Sequence, residues 1–256
     1  MSCKTIEVKG RLIGGTKPLI CMPIVARNYD ELMLEAGVML TAKPDLIEWR
    51  ADYYGEADDI NKVLTSLDKL TDKLKDFPII FTLRTRSEGG YQDLEQGYRV
   101  ELIKEVIKTR KIDIVDYELC NSEDHINEVL LAARENGVYV ILSYHDFKNT
   151  PPKEEIIAKL IKAQDMGADI SKIAVMPGST EDLLTLLQAT LIMKEKYTKV
   201  PMVTMSMSQK GLLSRLTGGI FGSSITFAAG RDASAPGQIA LHDLRNVIDI
   251  IDRNSK

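Results

Sequence analysis

Lys172 lies in the apolar run Ile170–Val175 of this 256-residue chain. Such a run is typical of a buried strand, where a charged side chain is rare because its burial is costly. A protein relieves that cost by lowering the lysine pKa, which leaves a nucleophilic amine. Amines of this kind form Schiff bases with ketones and aldehydes. The alternative is a strand-end lysine that reaches solvent or pairs with a carboxylate.

Further polar residues follow the alternation of other β-rich runs. Side chains two residues apart on a strand point to the same face, so Ile47 and Trp49 should face away from Glu48 and Arg50. We expect a common inward face for Glu48 with Arg50, Thr82 with Arg84, Ser143 with His145, Lys172 with Ala174 and Met176, and Met205 with Met207.

Carbonyl chemistry accounts for this combination of residue types. An imine at Lys172 acts as an electron sink, and His145 suits removal of a proton near neutral pH. Arg50 and Arg84 add positive potential and can hold substrate oxygens through paired hydrogen bonds. Each residue also has a structural interpretation: Glu48 and Arg50 as an ion pair, Arg84 paired with a carboxylate, and His145 as a satisfied structural group. The methionines are otherwise core filler.

The elements that would position these residues alternate regularly. Helical patterns with one apolar face occur at Glu123–Glu135, Glu154–Met166 and Glu181–Tyr197, and a last helix is expected from about Gly237 to Asp252. The expected strands are Leu19–Val25, Asp45–Arg50, Ile79–Arg84, Ile112–Glu118, Val138–His145, Ile170–Met176, Met202–Met207 and Ser224–Ala228.

Eight βα units predict an α/β fold of the (β/α)8 TIM-barrel type, which carries its chemistry at the carboxyl ends of the strands. The alternative is a doubly wound open sheet, but no Gly-x-Gly-x-x-Gly follows the first strand. Thr5–Lys9 and Arg11–Gly14 flank Gly10 and predict an N-terminal β-hairpin that closes the barrel bottom. We expect one domain over residues 1–256.

Composition restricts the function classes. The net charge of −4 argues against nucleic acid as a partner. We expect no membrane partner, because no run reaches the length of a membrane span and no signal-peptide stretch is present. Cys3, Cys21 and Cys120 are scattered and odd in number, which favours reduced thiols and a cytoplasmic location. Neither the cysteines nor the scattered histidines form a metal-ligand motif.

Two late segments form a second cluster of interest. The segment 206–215 follows the seventh expected strand, and the segment 227–238 follows the eighth. The second segment is rich in small residues and leads into the last expected helix, so it is a candidate anion site or mobile lid. An ordinary flexible connection is the other interpretation.

The motifs together resemble one family, the type I 3-dehydroquinate dehydratases. They lie on six βα units and span nearly the whole chain. They are Glu48-Trp49-Arg50-Ala51-Asp52, Thr82-Leu83-Arg84-Thr85, Glu88-Gly89-Gly90, Ser143-Tyr144-His145-Asp146-Phe147, Lys172-Ile173-Ala174, Met205-Ser206-Met207 and Ser234-Ala235-Pro236-Gly237-Gln238.

The resemblance implies a role for each matched residue. Lys172 resembles the Schiff-base lysine, His145 the general base and acid, and Glu88 the acidic partner of that histidine. Arg215 resembles the group that binds the substrate carboxylate. Glu48 and Arg84, with Arg50 nearby, resemble the residues that hold the ring hydroxyls of the substrate. Met205 and Phe227 resemble the apolar walls of the site, and Ser234 and Gln238 resemble the residues of the closing loop that contact the substrate. Asp116 and Glu118 are possible supporting groups.

The implied reaction is loss of water from 3-dehydroquinate to give 3-dehydroshikimate in the shikimate pathway. Lys172 would form an imine at the C3 ketone, and His145 would remove a C2 proton and then protonate the departing C1 hydroxyl. The reaction requires no cofactor and no metal. The small-molecule substrate is the expected partner, and family members are often homodimers.

Two other functions remain as alternatives from the residues alone. A class I aldolase-type lyase would also use a strand lysine on the same barrel. Phosphorylated substrates would favour glycine-rich loops after strands seven and eight, whereas Gly218 and Gly219 precede the last strand and Arg215 better suits a carboxylate. The other alternative is a non-catalytic barrel that binds a metabolite, in which Lys172 and His145 would not be needed.

Overall fold

A two-stranded hairpin precedes the main sheet in this computed structural model, which describes residues 4–230 and 235–254. Strands β1 (Ile6–Val8) and β2 (Arg11–Ile13) pair antiparallel. Lys9 and Gly10 form the turn at φ values of 45° and 73°, and two positive φ values are characteristic of the type I′ turn that suits a tight hairpin. The predicted hairpin is confirmed.

Eight parallel strands follow in one sheet. A bridge between Met202 and Ser223 brings the last strand beside the seventh, so the sheet forms a nearly closed barrel. The predicted barrel is therefore confirmed, and the open sheet was the wrong alternative. The strands are β3 (Leu19–Ile24), β4 (Leu46–Arg50), β5 (Ile79–Thr82), β6 (Ile114–Glu118), β7 (Tyr139–Asp146), β8 (Ile170–Val175), β9 (Met202–Ser206) and β10 (Ile225–Phe227).

Helices alternate with these strands. They are α1 (Tyr29–Ala42), α2 (Ile60–Lys73), α3 (Gln96–Lys108), α4 (Glu123–Asn136), α5 (Lys153–Asp165), α6 (Thr180–Ile192), α7 (Leu212–Phe221) and α8 (Leu241–Asn254). A π-helical turn at Met193–Tyr197 extends α6, and single 3-10 turns lie at Ala51–Tyr53, Arg86–Glu88 and Gln209–Gly211. None of the helices in the described ranges is long and apolar enough to span a bilayer.

Local sequence accounts for several helix ends. The Ser122 side chain accepts a hydrogen bond from the backbone of His125 at the start of α4, and Gly137 ends that helix at φ 72°. Ser179 and Asp182 form a reciprocal capping box at the start of α6. These contacts satisfy backbone groups that have no partner within a helix.

The barrel has an inner and an outer apolar layer. Ile6, Val8 and Ile13 of the hairpin pack against the first inward residues of the strands, including Ile114 and Ile170, and close the barrel bottom. The outward residues pack against the helices in two further clusters. The inward positions change from apolar at the bottom to polar at the carboxyl ends.

The last helix differs from its prediction. It begins at Leu241 rather than near Gly237. Gly237 has a φ of 79°, and a Cβ atom there would lie 2.2 Å from the backbone oxygen of Ser208. The backbone N–H of Ser208 donates to the carbonyl of Pro236 at 3.0 Å. Packing against the segment after β9 therefore holds Pro236 and Gly237 outside the helix.

Candidate active site

A cavity of about 440 Å³ opens at the carboxyl ends of the strands. Polar residues of β4, β7 and β8 and of the segment after β5 line one side, and apolar residues of β9 and β10 and of the segment after β9 line the other. The lining residues include Glu48, Arg50, Arg84, Glu88, His145, Lys172, Met205, Met207, Arg215, Phe227 and Gln238. The cavity thus combines charged groups with an apolar wall, as ligand pockets commonly do.

Lys172 lies at the base of this cavity and is 4% exposed. Its Nζ donates to Oδ2 of Asp116 at 2.7 Å, and Oε1 of Glu48 lies 3.8 Å away. The Phe227 ring covers the same amine, with its centroid 4.8 Å from Nζ. Two carboxylates thus lie beside the buried amine.

Asp116 is shared between Lys172 and a second cation. Its Oδ1 accepts a hydrogen bond from the Ser143 hydroxyl at 2.6 Å and pairs with Nη2 of Arg84 at 2.9 Å. The Arg84 guanidinium also donates through Nη1 to Oε1 of Glu118 at 3.0 Å. Arg84 is thus held by carboxylates, as its structural interpretation anticipated, while it still lines the cavity.

His145 and Glu88 form a close pair at the cavity edge. Oε2 of Glu88 lies 2.9 Å from the ring Nδ1 of His145 and also accepts the His145 backbone N–H at 2.8 Å. Glu88 ends the 3-10 turn Arg86–Glu88, and Gly89 follows it at φ 84°. A Cβ atom at Gly89 would lie 2.4 Å from the Phe147 ring, so this turn requires glycine.

Burial dominates the ionisation of this pair. It lowers the pKa of His145 well below the ordinary value, and the charges of Arg84 and Lys172 act in the same direction. Burial raises the pKa of Glu88 to about 7. A neutral His145 whose Nδ1 faces a carboxylate presents Nε2 as a proton acceptor. The pair is therefore suited to general base catalysis.

Arg50 is oriented by Asp52, which lies two residues after it. The Asp52 carboxylate accepts hydrogen bonds from Nε and Nη2 of Arg50, both at 2.8 Å. It also accepts the backbone N–H of Tyr91 at 3.0 Å and that of Arg84 at 3.4 Å. One buried carboxylate thus connects an arginine of the cavity to the segment that carries Glu88.

Arg215 lies in α7 and is 2% exposed. Its guanidinium donates to the carbonyls of Phe227 and Pro236 at 3.4 and 3.1 Å. Within residues 4–230 and 235–254, no carboxylate lies within 4.0 Å of it, and its Nε has no hydrogen-bond partner. Burial lowers its pKa to about 10. Such a guanidinium is suited to an anionic group supplied by a ligand.

The structure brings most of the expected site residues together. Lys172, His145, Glu88, Glu48, Arg50, Arg84, Met205, Arg215, Phe227 and Gln238 all line the cavity. Ser234 lies outside the described residues. The sequence analysis assigned no role in the site to Asp52, and it treated Asp116 only as a group that supports other site residues. Signals for both were available, since Asp52 belongs to the same motif as Arg50 and Asp116 occupies an inward position of an apolar strand.

The arrangement supports imine chemistry. A buried amine faces an apolar wall, a neutral histidine lies on the neighbouring strand, and guanidinium groups can bind substrate oxygens. In the described part of the chain, no group of three or more His, Cys, Asp or Glu side chains could hold a metal ion.

Comparison with known sequences places the chain in a family. The sequence model of the family described as type I 3-dehydroquinase matches residues 20–255. The chain is 45% identical to a 3-dehydroquinate dehydratase from Bacillus licheniformis, over 98% of this chain and 99% of that protein. It is 44% identical to a 3-dehydroquinate dehydratase from Clostridium novyi, with 97% and 98% coverage.

Solved structures agree with the sequence comparison. A 3-dehydroquinate dehydratase from Geobacillus kaustophilus superposes with a TM-score of 0.96 at 41% identity, over 100% of this chain and 99% of that one. A type I 3-dehydroquinate dehydratase from Clostridium difficile, solved with covalently modified comenic acid, superposes with a TM-score of 0.95 at 40% identity, over 99% of both chains. A 3-keto-L-gulonate-6-phosphate decarboxylase from Vibrio cholerae superposes with a TM-score of 0.60 at 14% identity, and this likeness shows a shared fold alone.

Proposed function

Because this chain belongs to the type I 3-dehydroquinase family, we propose that the cavity around Lys172 is its active site. The activity of the chain is dehydration of 3-dehydroquinate to 3-dehydroshikimate in the shikimate pathway, by the lysine-imine route of the family. Neither the aldolase-type lyase nor the non-catalytic barrel has support from the comparisons. The assignment of individual residues below is our proposal.

Lys172 is the nucleophile of the proposed mechanism. Its Nζ attacks the C3 ketone, and loss of water gives a protonated imine. The single observation that carries the proposal is that this amine and His145 lie on neighbouring strands, β8 and β7, and line one cavity. The apolar Phe227 ring over Nζ limits the access of water to the imine.

His145 is the acid and base. In the imine, the carbon next to the cation is acidic, and Nε2 of His145 accepts its proton to leave an enamine. The same nitrogen then returns the proton to the departing C1 hydroxyl. Glu88 orients the ring through Nδ1 and balances the imidazolium that forms.

The remaining cavity residues bind and orient the substrate. Arg215 receives the carboxylate, because it is a buried guanidinium whose hydrogen-bond partners among the described residues are carbonyls and a thioether. Glu48, Arg50 and Arg84 contact the ring hydroxyls, with Gln238 and Ser234 on the closing segment. Met205 and Phe227 form the apolar wall. These positions fix the C2–H bond relative to His145, which is the main contribution of orientation to the rate.

The direct test is covalent trapping. Borohydride reduction in the presence of 3-dehydroquinate should add the mass of the reduced ligand to the protein, and peptide mapping should place it on Lys172. Lys172→Met should give no adduct and no turnover while it remains folded, as its far-ultraviolet circular dichroism spectrum would show. An adduct on a different lysine, or full turnover by the variant, would reject the assignment.

We further propose a homodimer of single-domain subunits, each formed by residues 1–256, in the cytoplasm. The supporting observations are the exposed apolar side chains Leu213 and Ile220 on α7 and Ile250 on α8, and the thiols of Cys21 and Cys120, which form no disulfide. Sedimentation velocity tests the dimer: a mass of about one chain, 28.6 kDa, would reject it.

A further inference from the structure

We propose that Asp116 is a catalytic residue of this reaction, whose carboxylate stays beside Nζ of Lys172 and serves as the counter-ion of the imine cation. The inference rests on the proposed role of Lys172 and adds a second group at the reacting nitrogen. It gives Asp116 a part in the chemical step, beyond the support of neighbouring side chains.

The geometry directs one oxygen of Asp116 at the reacting atom. Oδ1 accepts a hydrogen bond from the Ser143 hydroxyl at 2.6 Å and forms an ion pair with Nη2 of Arg84 at 2.9 Å, and these two contacts orient the carboxylate. Oδ2 then lies 2.7 Å from Nζ of Lys172. Asp116 is 1% exposed, so the contact with Nζ lies away from bulk solvent.

Asp116 is a permanent anion in this setting. Burial alone would favour its neutral form, but the charges of Arg84 and Lys172 hold the pKa of the carboxyl well below its usual range. Asp116 therefore does not take a proton from Lys172 or from substrate. Its contribution to the reaction is a fixed negative charge.

The charge balance of the reaction shows where that negative charge acts. The lysine ammonium and the C3 ketone give the protonated imine and one water: a C–N bond forms, and the ketone oxygen leaves with two protons of the ammonium. The positive charge on nitrogen is the same before and after. Proton transfer from C2 to His145 then gives a neutral enamine.

Later steps restore the cation. The C1 hydroxyl leaves as water with the proton from His145, and the nitrogen becomes a protonated imine again. Addition of water and release of product regenerate the ammonium. Asp116 thus faces a positive nitrogen in the resting ammonium and in both protonated imines, and it stabilises the cation that acidifies the C2–H bond.

Glu48, the other carboxylate near the amine, is not equivalent. Its Oε1 lies 3.8 Å from Nζ and already accepts a hydrogen bond from the Thr82 hydroxyl at 2.9 Å. The other charged or titratable groups that face this pair from the surrounding elements are Cys21, Arg50, Arg84, Glu88, Glu118, His145 and Arg215.

The substitution Asp116→Asn gives two measurable changes. Attack on the ketone requires a neutral amine, and removal of the carboxylate stops favouring the ammonium. In a plot of the rate of imine formation against pH, the rising part of the curve should therefore move to lower pH, because Nζ loses the carboxylate that lies 2.7 Å away. The protonated imine also loses its counter-ion, so the fraction trapped at steady state should fall at least tenfold.

The experiment measures the rate and yield of the borohydride-trapped adduct, by intact mass, from about pH 5 to pH 10 in full-length protein. Asp113→Asn is the matched control, since it makes the same change just before the other end of β6, where Asp113 accepts from the backbone of Ile79. The control should give the wild-type profile. If Asp116 had a purely structural role, the substitution Asp116→Asn would lower the rate of imine formation at all pH values, and the pH at which that rate rises would not change.

The outcomes separate the two proposals. If the wild type turns over without an adduct on Lys172, the proposed role of Lys172 fails, and the role of Asp116 fails with it. If the wild type is trapped there and Asp116→Asn shows the same pH dependence and yield, only the role of Asp116 is overturned. If Asp116→Asn does not fold, the same trapping measurement on Ser143→Ala tests the role of Asp116 instead. In Ser143→Ala, Oδ1 of Asp116 loses a hydrogen-bond donor, so more of the negative charge lies on Oδ2, next to Nζ. The rise of the rate of imine formation with pH should therefore move to higher pH, and an unchanged pH dependence contradicts the proposal.

Discussion

Glu88 contacts His145 twice through a single oxygen. Its Oε2 lies 2.8 Å from the backbone nitrogen of His145 and 2.9 Å from the ring nitrogen Nδ1. Two contacts to one acceptor fix both the position of the residue and the rotation of its ring. The free nitrogen, Nε2, is thereby left for proton transfer.

Glu88→Gln should slow proton transfer without preventing imine formation. The amide retains the shape of the side chain but cannot balance an imidazolium. General acid–base groups contribute about 10²–10⁴-fold to rates, so a partner that acts through the histidine should cost about 10–100-fold in kcat. Lys172 is unaltered, so the adduct should still be trapped, and stopped-flow measurement of the imine gives that rate separately. Loss of the adduct along with turnover would show that Glu88 acts before proton transfer.

The same variant should change how stability depends on pH. The pKa of Glu88 is about 7 in the folded protein, against an ordinary value of 4.5. The contribution of Glu88 to the free energy of unfolding is therefore fully present below pH 4.5, where the carboxyl is protonated in both the folded and the unfolded protein. This contribution is lost as the pH rises through 7. Glutamine does not titrate, so Glu88→Gln should gain in thermal stability relative to the wild type between about pH 4.5 and 7.

Unfolding midpoints measured at about pH 4.5, 6 and 8 test this sign. His145 is present in both proteins, so its own titration largely cancels from the difference. Glu154→Gln removes an exposed carboxylate on α5 and is the matched control. A difference between wild type and Glu88→Gln that is constant across this range would contradict the prediction.

Arg215→Met should separate substrate binding from stability. The buried guanidinium has carbonyl partners and no carboxylate within 4.0 Å among the described residues, so its loss should not lower the unfolding midpoint of the free protein greatly. Charge-assisted hydrogen bonds contribute about 1.5–3 kcal/mol, which corresponds to a loss of about 10–100-fold in kcat/KM. The loss should appear mainly as a raised KM. An unchanged KM would exclude a contact with the substrate carboxylate.

Asp52→Ala should destabilise the protein and weaken catalysis together. It leaves the buried Arg50 without its carboxylate and frees the backbone N–H groups of Arg84 and Tyr91. Breaking one side of a buried pair costs about 3–5 kcal/mol, or about 6 °C or more in the unfolding midpoint for a chain of this size. Asp58→Ala, at an exposed position six residues on, should leave the midpoint and kcat/KM nearly unchanged.

Sequence periodicity was sufficient to predict the barrel and the inward residues. Strands such as Ile170–Val175 are recognisable because β-branched residues recur between turn signals. Once the strand is placed, alternation alone orients Lys172, and the carboxyl-end rule places it in the cavity. The boundary errors were small for the same reason, because the apolar run itself defines the strand.

Partners across the barrel were harder to predict. Lys172 and Asp116 are 56 positions apart, and nothing in either segment specifies which inward side chains meet. The start of α8 was missed for a related reason: the Pro236–Gly237 pair is compatible with a helix start, and only its contact with Ser208, in a different segment, excludes it. Local patterns identify elements, whereas contacts between distant segments decide the pairs.

The hairpin under the barrel determines how material moves through the site. Ile6, Val8 and Ile13 fill the amino-terminal end of the barrel, so ligands reach Lys172 from the carboxyl end. Substrate, product and the water exchanged at the imine share that mouth. Product must depart before the next substrate can enter, and product inhibition should be strictly competitive with substrate.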